Sequence, residues 1–152
     1  MKIVVTGTRG IPGIQGGIET HCEELYPLIA DKQHEIIVVR RPGYAIDHTV
    51  KTYRQVTIKD IKVVRNKYLE AFLHTFLAVL YARRIGADIV HIHAVGPALM
   101  TPIARMLGMK VVVTHHGPDY NREKWGNFAK WILRTGEKAG IHYANHIIVI
   151  AE

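Results

Sequence analysis

Residues 86–117, GADIVHIHAVGPALMTPIARMLGMKVVVTHHG, decide the fold. Two short apolar runs, at 88–93 and 110–115, flank a segment at 97–107 that begins with proline and stops before Gly108. Short, nearly continuous apolar runs are typical of buried parallel strands. Proline at the first position and glycine just past the last are typical of a helix. The stretch therefore predicts a strand–helix–strand unit.

The same alternation extends in both directions from this unit. Further strands are predicted at 2–6, 34–40 and 146–150, and further helices at 18–31, 67–85 and 127–143. Residues 42–65 are predicted to form a loop with one or two strands, near 55–58 and 61–64. Such alternation forms a parallel sheet with helices on both faces. We predict one Rossmann-like α/β domain over residues 1–152. Because the last strand is of the buried type and has no helix after it, we expect more polypeptide to follow.

Composition narrows the class of protein. The chain has 152 residues, 48% hydrophobic and 22% charged, which is typical of a globular domain. Its single cysteine, Cys22, excludes an internal disulfide framework. No secretory signal pattern or membrane-spanning apolar run is present, so we expect a cytoplasmic protein. The net charge is +7, and residues 40–67 carry eight basic side chains against two acidic ones. This excess would attract anionic partners such as phosphate groups, acidic lipid head groups or nucleic acid, although a solvated basic face with no partner fits equally well. An anionic membrane surface is a candidate partner, and no nucleic-acid partner is expected.

Three polar or glycine-rich loops follow predicted strands, where doubly wound sheets bind ligands. The first loop carries Arg9, Gly16, Gly17 and Glu19. A Gly-Gly pair at the start of a helix exposes backbone N–H groups to a phosphate, and Arg9 adds a guanidinium for a diphosphate or a sugar acid. The spacing matches neither the dinucleotide fingerprint nor the P-loop. On spacing alone, the loop also fits a flexible turn that binds nothing.

The second loop follows a strand that contains two histidines. Strand alternation places His91 and His93 on one face, and His93 is predicted to point into the crevice. A metal pair lacks a third ligand at any convincing spacing, so no metal is expected.

The third loop gathers polar and aromatic residues just past a strand end: His116, Gly117, Asp119, Arg122, Lys124 and Trp125. Histidine can donate to a sugar hydroxyl or exchange a proton, and a carboxylate can orient a hydroxyl. The two cations can neutralise an anion, and the indole can stack on a sugar ring. The alternative is a helix cap at Asp119 among solvated charges.

Three runs in order resemble a known family: TGTRGIPGIQGGIETHCEEL (6–25), DIVHIHAVGPAL (88–99) and VVVTHHGPDYNREKWGNFAKWILRTGEKA (111–139). They resemble the N-terminal domain of retaining, family-four-like GT-B glycosyltransferases, especially bacterial rhamnosyltransferase-like enzymes of polysaccharide assembly. The resemblance implies the acceptor-side half of an enzyme with two Rossmann-like domains, the C-terminal donor domain being absent from this chain. It also implies a nucleotide-sugar donor, a glycan or lipid-linked acceptor, and no metal or other cofactor. We expect the chain alone to be inactive.

The resemblance also assigns roles to residues. It implies catalytic roles for His116 and Asp119, with His116 near the transferred sugar. It implies substrate contacts for the others: Arg9, Gly16, Gly17, Glu19, His93, Gly117, Arg122, Lys124 and Trp125. The chain departs from the family at its last strand, which closes with Ala151-Glu152 instead of the usual Ser-Glu.

Two other functions fit the residues less well. A stand-alone module could bind an anionic glycan or lipid without catalysis. A nucleotide-dependent oxidoreductase is disfavoured, because the second strand ends Val39-Arg40-Arg41 with no acidic residue for a ribose.

Overall fold

The structure is a computed structural model that describes residues 1–30, 33–66 and 69–150, except for the side chain of Asp119. Within these ranges the strands are β1 (Lys2–Thr6), β2 (Glu35–Arg40), β3 (Thr52–Tyr53), β4 (Val56–Asp60), β5 (Ile89–His93), β6 (Lys110–His115) and β7 (His146–Val149). The α-helices are α1 (Gly17–Ala30), α2 (Glu70–Arg84), α3 (Thr101–Met106) and α4 (Asn127–Tyr143), and short 3₁₀ helices lie at Pro42–Tyr44, Pro97–Met100 and Asp119–Asn121.

The strands form one sheet in the order β3-β4-β2-β1-β5-β6-β7. All neighbouring pairs are parallel except β3–β4, a short antiparallel edge. The predicted α/β fold class is therefore confirmed. The chain proceeds from β1 outward to β2, then returns to the other side of β1 at β5. This reversal makes the carboxyl ends of β1 and β5 the switch point at which such sheets bind ligands.

Alternation along the inner strands fills both faces of the sheet. On β1, Val4 packs in a cluster with residues of α2 and α3, whereas Ile3 and Val5 pack in a second cluster with Tyr26 of α1. Each fully buried aliphatic side chain of this kind contributes about 1.5–3 kcal/mol. Because strands with helices on both faces cannot show one polar face, their sequences are apolar runs.

Several predicted boundaries differ from the structure. The strand predicted at 61–64 is wrong, since residues 61–66 have no regular structure and the Ile61 N–H donates to the Arg40 carbonyl, 3.1 Å away. The helix predicted at 97–107 is a 3₁₀ segment followed by α3, and the second proline, Pro102, lies at the start of α3, where a missing N–H costs nothing. The predicted helix ends at 31 and 67–68, and the departure at 151–152, lie outside the described residues.

The last strand is exposed, so its prediction as a buried strand is wrong. β7 lies at an edge of the sheet, and all four of its residues are exposed, including Val149 at 67%. In the described part of the chain, no helix is long and apolar enough to cross a bilayer.

The basic stretch at 40–67 exposes fewer basic side chains to an anionic partner than its composition predicts. Arg40 is fully buried, and its guanidinium makes two hydrogen bonds, of 2.6 and 2.9 Å, to the carboxylate of Asp60 in the neighbouring strand. Arg41 is also buried. Among the described residues of the stretch, the exposed basic ones are Lys51, Arg54, Lys59, Lys62 and Arg65.

Candidate functional site

A cluster of histidines lies at the carboxyl ends of β5 and β6. The rings of His91 and His93 stack with their centroids 4.4 Å apart, as strand alternation predicts for residues on one face. His116 follows β6 and lies 5.2 Å from His93, centroid to centroid. His21 of α1 completes the cluster, with its ring 5.3 Å from that of His116.

Hydrogen bonds join this cluster to the fold. The Tyr26 hydroxyl, on α1, contacts His91 Nδ1 at 2.7 Å and also contacts His93 Nε2. His91 Nε2 lies 2.6 Å from the Thr114 hydroxyl. His93 Nδ1 lies 2.9 Å from His116 Nε2. A continuous chain of contacts thus runs from the interior of the sheet to His116.

Three histidines of the cluster, His91, His93 and His116, are neutral at physiological pH. Burial, helped by the neighbouring histidines His21 and His116, lowers the pKa of His91 to about 4. Burial also holds the pKa of His93 well below its usual range. The pKa of His116 is lowered too, chiefly by partial burial and then by His21. His116 therefore acts as a neutral imidazole, which can donate one hydrogen bond and accept one.

The structure corrects the prediction for His93. It is fully buried beneath His116 and α1 and does not point into the crevice. His116, which the sequence also predicted as a site residue, is half-buried and lies at the surface of the cluster. His21 and Tyr26 were missed. The available signal was that Cys22 and Tyr26 share the apolar face of α1, where a buried tyrosine hydroxyl requires a partner.

The glycine-rich loop leads from β1 to the start of α1. Gly16 precedes the helix with φ of 145°, and a side chain there would overlap Glu19 Oε2. Gly17 begins the helix with open space around it, so its backbone is accessible. These two glycines form the accessible N-terminal end of α1, where backbone N–H groups and the helix dipole favour an anion.

Glu19 supports this loop from inside. It is buried, and its Oε1 accepts hydrogen bonds from the Thr8 hydroxyl at 3.2 Å and from the Arg9 N–H at 3.0 Å. The structure therefore places the Glu19 carboxylate on the loop backbone, although the resemblance implies a substrate contact. Substitution of this residue would release the loop that Gly16 and Gly17 complete.

Arg9 lies on the outer side of the same loop. Its guanidinium is exposed and lies 5.0 Å from the centre of the Tyr44 ring, with Arg65 4.8 Å from the same ring. Arg9 and Tyr44 line an open cavity of about 530 Å³ together with Gly13, Ile14, Gln15 and Ile46. A cavity with an exposed arginine at its edge suits an anionic or sugar-like group.

The third loop divides into a part beside the cluster and a part away from it. Gly117 follows His116, and its N–H donates to His115 Nδ1 at 3.1 Å, while His115 Nε2 lies 2.9 Å from Glu137 of α4. These bonds fix the backbone at the His-Gly corner.

Lys124 and Trp125 contact each other. The Lys124 ammonium lies 4.8 Å from the centre of the Trp125 ring, so it covers one face of the ring that was predicted to stack on a sugar. Arg122 is exposed. The backbone of Asp119 starts the 3₁₀ helix after this corner, but its side chain lies outside the described residues.

Within the described ranges, no three or more His, Cys, Asp or Glu residues are arranged to hold a metal ion. The cluster instead uses its ring nitrogens to bond to one another and to hydroxyl groups.

Comparison with known protein families shows the family to which this chain belongs. The model of Glycosyltransferase Family 4 matches residues 15–152, which include every site residue predicted from the sequence except Arg9. The chain belongs to glycosyltransferase family 4. No curated protein matches this family 4 chain.

Two solved structures are similar to this chain at low identity. UDP-GlcNAc 2-epimerase from Methanocaldococcus jannaschii matches 99% of this family 4 chain with a TM-score of 0.53 and 12% identity. A UDP-galactose 4-epimerase matches 88% of the chain with a TM-score of 0.47 and 16% identity. The chain spans 40% of the length of the first protein and 62% of the second. The likeness to the first confirms the fold.

Proposed function

We propose that this chain is the acceptor-side half of a retaining glycosyltransferase of the rhamnosyltransferase-like subgroup. In the complete enzyme, a sugar would pass from a nucleoside diphosphate to a hydroxyl of a glycan or lipid-linked acceptor during bacterial polysaccharide assembly. A C-terminal donor domain would complete the site. The chain alone would be inactive, and the enzyme would work in the cytoplasm, at the inner face of the membrane.

One observation carries this proposal: His116 and the N-terminal end of α1 lie on the same rim of the sheet. His21 follows Gly17 by about one helical turn, and its ring lies 5.3 Å from that of His116. A diphosphate at the glycines and a sugar at His116 would therefore be neighbours. The rim also lies at the switch point of the sheet, where α/β folds bind ligands.

The chemistry that this rim supports is stabilisation of charge on the leaving diphosphate. The backbone N–H groups at Gly16 and Gly17 and the dipole of α1 favour negative charge there. The donor domain would supply the cations, and His116 would hold a hydroxyl of the transferred sugar. Glu19 is not proposed as a nucleophile, because its carboxylate bonds the Thr8 hydroxyl and the Arg9 N–H.

The remaining predicted contacts extend the same proposal. Asp119 would orient a hydroxyl beside His116. Arg122 and Lys124 would neutralise an anionic group. The exposed basic residues between Lys51 and Arg65 would hold the enzyme near acidic lipid. Sedimentation with vesicles checks the last point: equal binding to neutral and acidic vesicles at low salt would remove it.

The experiment uses a complete enzyme in which this chain is joined to a family 4 donor domain, assayed with a panel of UDP-, GDP- and dTDP-sugars. His116→Ala should lower kcat on the order of 10²-fold, because one preorganised donor near the reacting sugar is lost. His142→Ala, at an exposed histidine of α4, is the matched control and should leave kcat unchanged. Equal turnover for both variants would remove His116 from the mechanism.

A further inference from the structure

We infer that the buried chain of groups running from Thr114 to His93 fixes His116 as a hydrogen-bond donor, with its own hydrogen on Nδ1. His116 would then bind an oxygen of the substrate, either a sugar hydroxyl oxygen or a phosphate or carboxylate oxygen, and could not serve as a general base. The role of His116 in sugar transfer rests on the proposed function. The state of its ring does not.

Tyr26 requires all the hydrogen bonds between Thr114 and His116 to point the same way along the series. Its hydroxyl carries one hydrogen but contacts two ring nitrogens, His91 Nδ1 and His93 Nε2. It therefore donates to one ring and accepts from the other. Each neutral imidazole in turn donates through one nitrogen and accepts through the other. Once one bond is oriented, all the others follow, so only two arrangements satisfy every contact.

Thr114 decides between the two arrangements. Its hydroxyl is buried, and among the described residues its hydrogen-bond partner is His91 Nε2, 2.6 Å away. If Thr114 donates, its one hydrogen is used. If His91 donates instead, the Thr114 hydrogen is left buried without an acceptor. An unsatisfied buried donor disfavours that arrangement by about tenfold or more.

The favoured arrangement can be followed bond by bond. Thr114 donates to His91 Nε2, and His91 Nδ1–H donates to the Tyr26 oxygen. Tyr26 donates to His93 Nε2, and His93 Nδ1–H donates to His116 Nε2. The Nε2 lone pair of His116 is thus occupied, and its hydrogen remains on Nδ1. No lone pair is left to take a proton from an acceptor hydroxyl.

Burial keeps this arrangement uncharged. It lowers the pKa of His91 to about 4 and that of His93 well below its usual range. Three groups face His116 electrostatically: His21 and His115 oppose its protonation, and Glu19 favours it. Partial burial outweighs Glu19, so the pKa of His116 is also lowered.

The test is ¹⁵N NMR of this chain labelled at histidine, at pH 7.5, with His116→Ala used to assign the signals. The expected result is a protonated Nδ1 and an unprotonated Nε2 for His116. The exposed His142 serves as an internal reference for an unconstrained ring. A protonated Nε2 in the unaltered chain would overturn the inference.

Two substitutions separate a directional chain from mere packing. Thr114→Val keeps the shape of the side chain but removes the terminal hydroxyl, so either direction leaves His91 Nε2 without its partner. The preference for Nδ1–H at His116 should therefore fall and part of its hydrogen should move to Nε2, although Thr114 contacts His91 and not His116. Thr114→Ser should restore Nδ1–H. Tyr26→Phe should have the effect of Thr114→Val. An unchanged His116 spectrum in folded Thr114→Val would refute the inference, even if Tyr26→Phe failed to fold.

These outcomes are independent of the transferase proposal. Unchanged turnover in His116→Ala would reject the role of His116 in transfer and leave its ring state as found by NMR. A protonated Nε2 would reject the present inference and leave sugar transfer intact.

Discussion

Replacing His74 with leucine should make the folded chain less sensitive to acid. His74 lies on α2, is fully buried, and neither of its ring nitrogens makes a well-formed hydrogen bond to a described residue. Burial, and then the positive charge of Arg41, lower its pKa to about 4 from an ordinary value of 6.5, against a smaller opposing effect of the Arg40 backbone. The folded chain therefore keeps this ring neutral where the unfolded chain protonates it.

The sign of the effect follows from these two pKa values. Below pH 6.5 the unfolded chain binds a proton at His74 that the folded chain does not, so the free energy of unfolding falls as the pH falls. The loss develops between pH 6.5 and about 4 and amounts to about 3 kcal/mol for this residue. His91, whose pKa is also about 4, contributes a similar loss over the same interval. Together they are comparable to the whole stability of a typical domain, about 5–15 kcal/mol.

The assay is urea unfolding at pH 7, 6, 5 and 4, followed by tryptophan fluorescence. Across this range His74→Leu should lose about 3 kcal/mol less than the unaltered chain, in which the lowered pKa values of His91 and His93 add further loss. At pH 7 the variant should be as stable or slightly more so, because a buried ring with no well-formed hydrogen bond to a described residue is replaced by an apolar side chain of similar size. His142→Leu, at an exposed site, is the control. Parallel curves of stability against pH for His74→Leu and the unaltered chain would refute the reasoning.

Three further predictions concern the backbone and the thiol. Gly136→Ala should lower stability by about 1–3 kcal/mol in thermal unfolding, because the new Cβ would overlap the Val95 carbonyl. Gly126→Ala, which meets open space, should be neutral, and equal loss in both variants would contradict this packing. Ala94→Gly should raise stability by about 1 kcal/mol, since Ala94 has φ of 76°; a lowered melting temperature would exclude strain there. Burial raises the pKa of the Cys22 thiol to about 12, so an aromatic disulfide reagent should react at pH 8 only after urea is added, and rapid reaction of the folded chain would refute this.

The sequence predicted the inner strands well because their pattern has one interpretation. β1 and β6 begin and end at the predicted residues, since a short apolar run between polar or glycine residues is typical of a strand covered on both faces. Residues 61–64 are also mostly apolar but form no strand. β4 already has β2 on one side and β3 on the other, so no edge is left for pairing there. Such competition for a sheet edge is not visible in a local pattern.

The sequence predicted where the candidate site lies on the sheet, but not which of its side chains are buried. Loop positions after strands correctly brought the glycine pair and the His-Gly corner to one rim. Alternation also placed His91 and His93 on one face, but it could not show that α1 covers them. His93 is buried because Tyr26 and His21 of α1 lie against it. That contact joins residues 67 positions apart and depends on how the helix packs.

One helix links both halves of the proposed site. The inward stripe of α1 contains Glu19, Cys22 and Tyr26, at spacings of three and four residues. Through Glu19 it holds the loop that carries the glycines, and through Tyr26 it holds the ring that bonds to His116. Because all three side chains are buried, a shift of α1 would break bonds at the glycine loop and at the His-Gly corner together. The distance between the two ends is thus set by the packing of one helix on the sheet, which keeps both ends in register before any substrate binds.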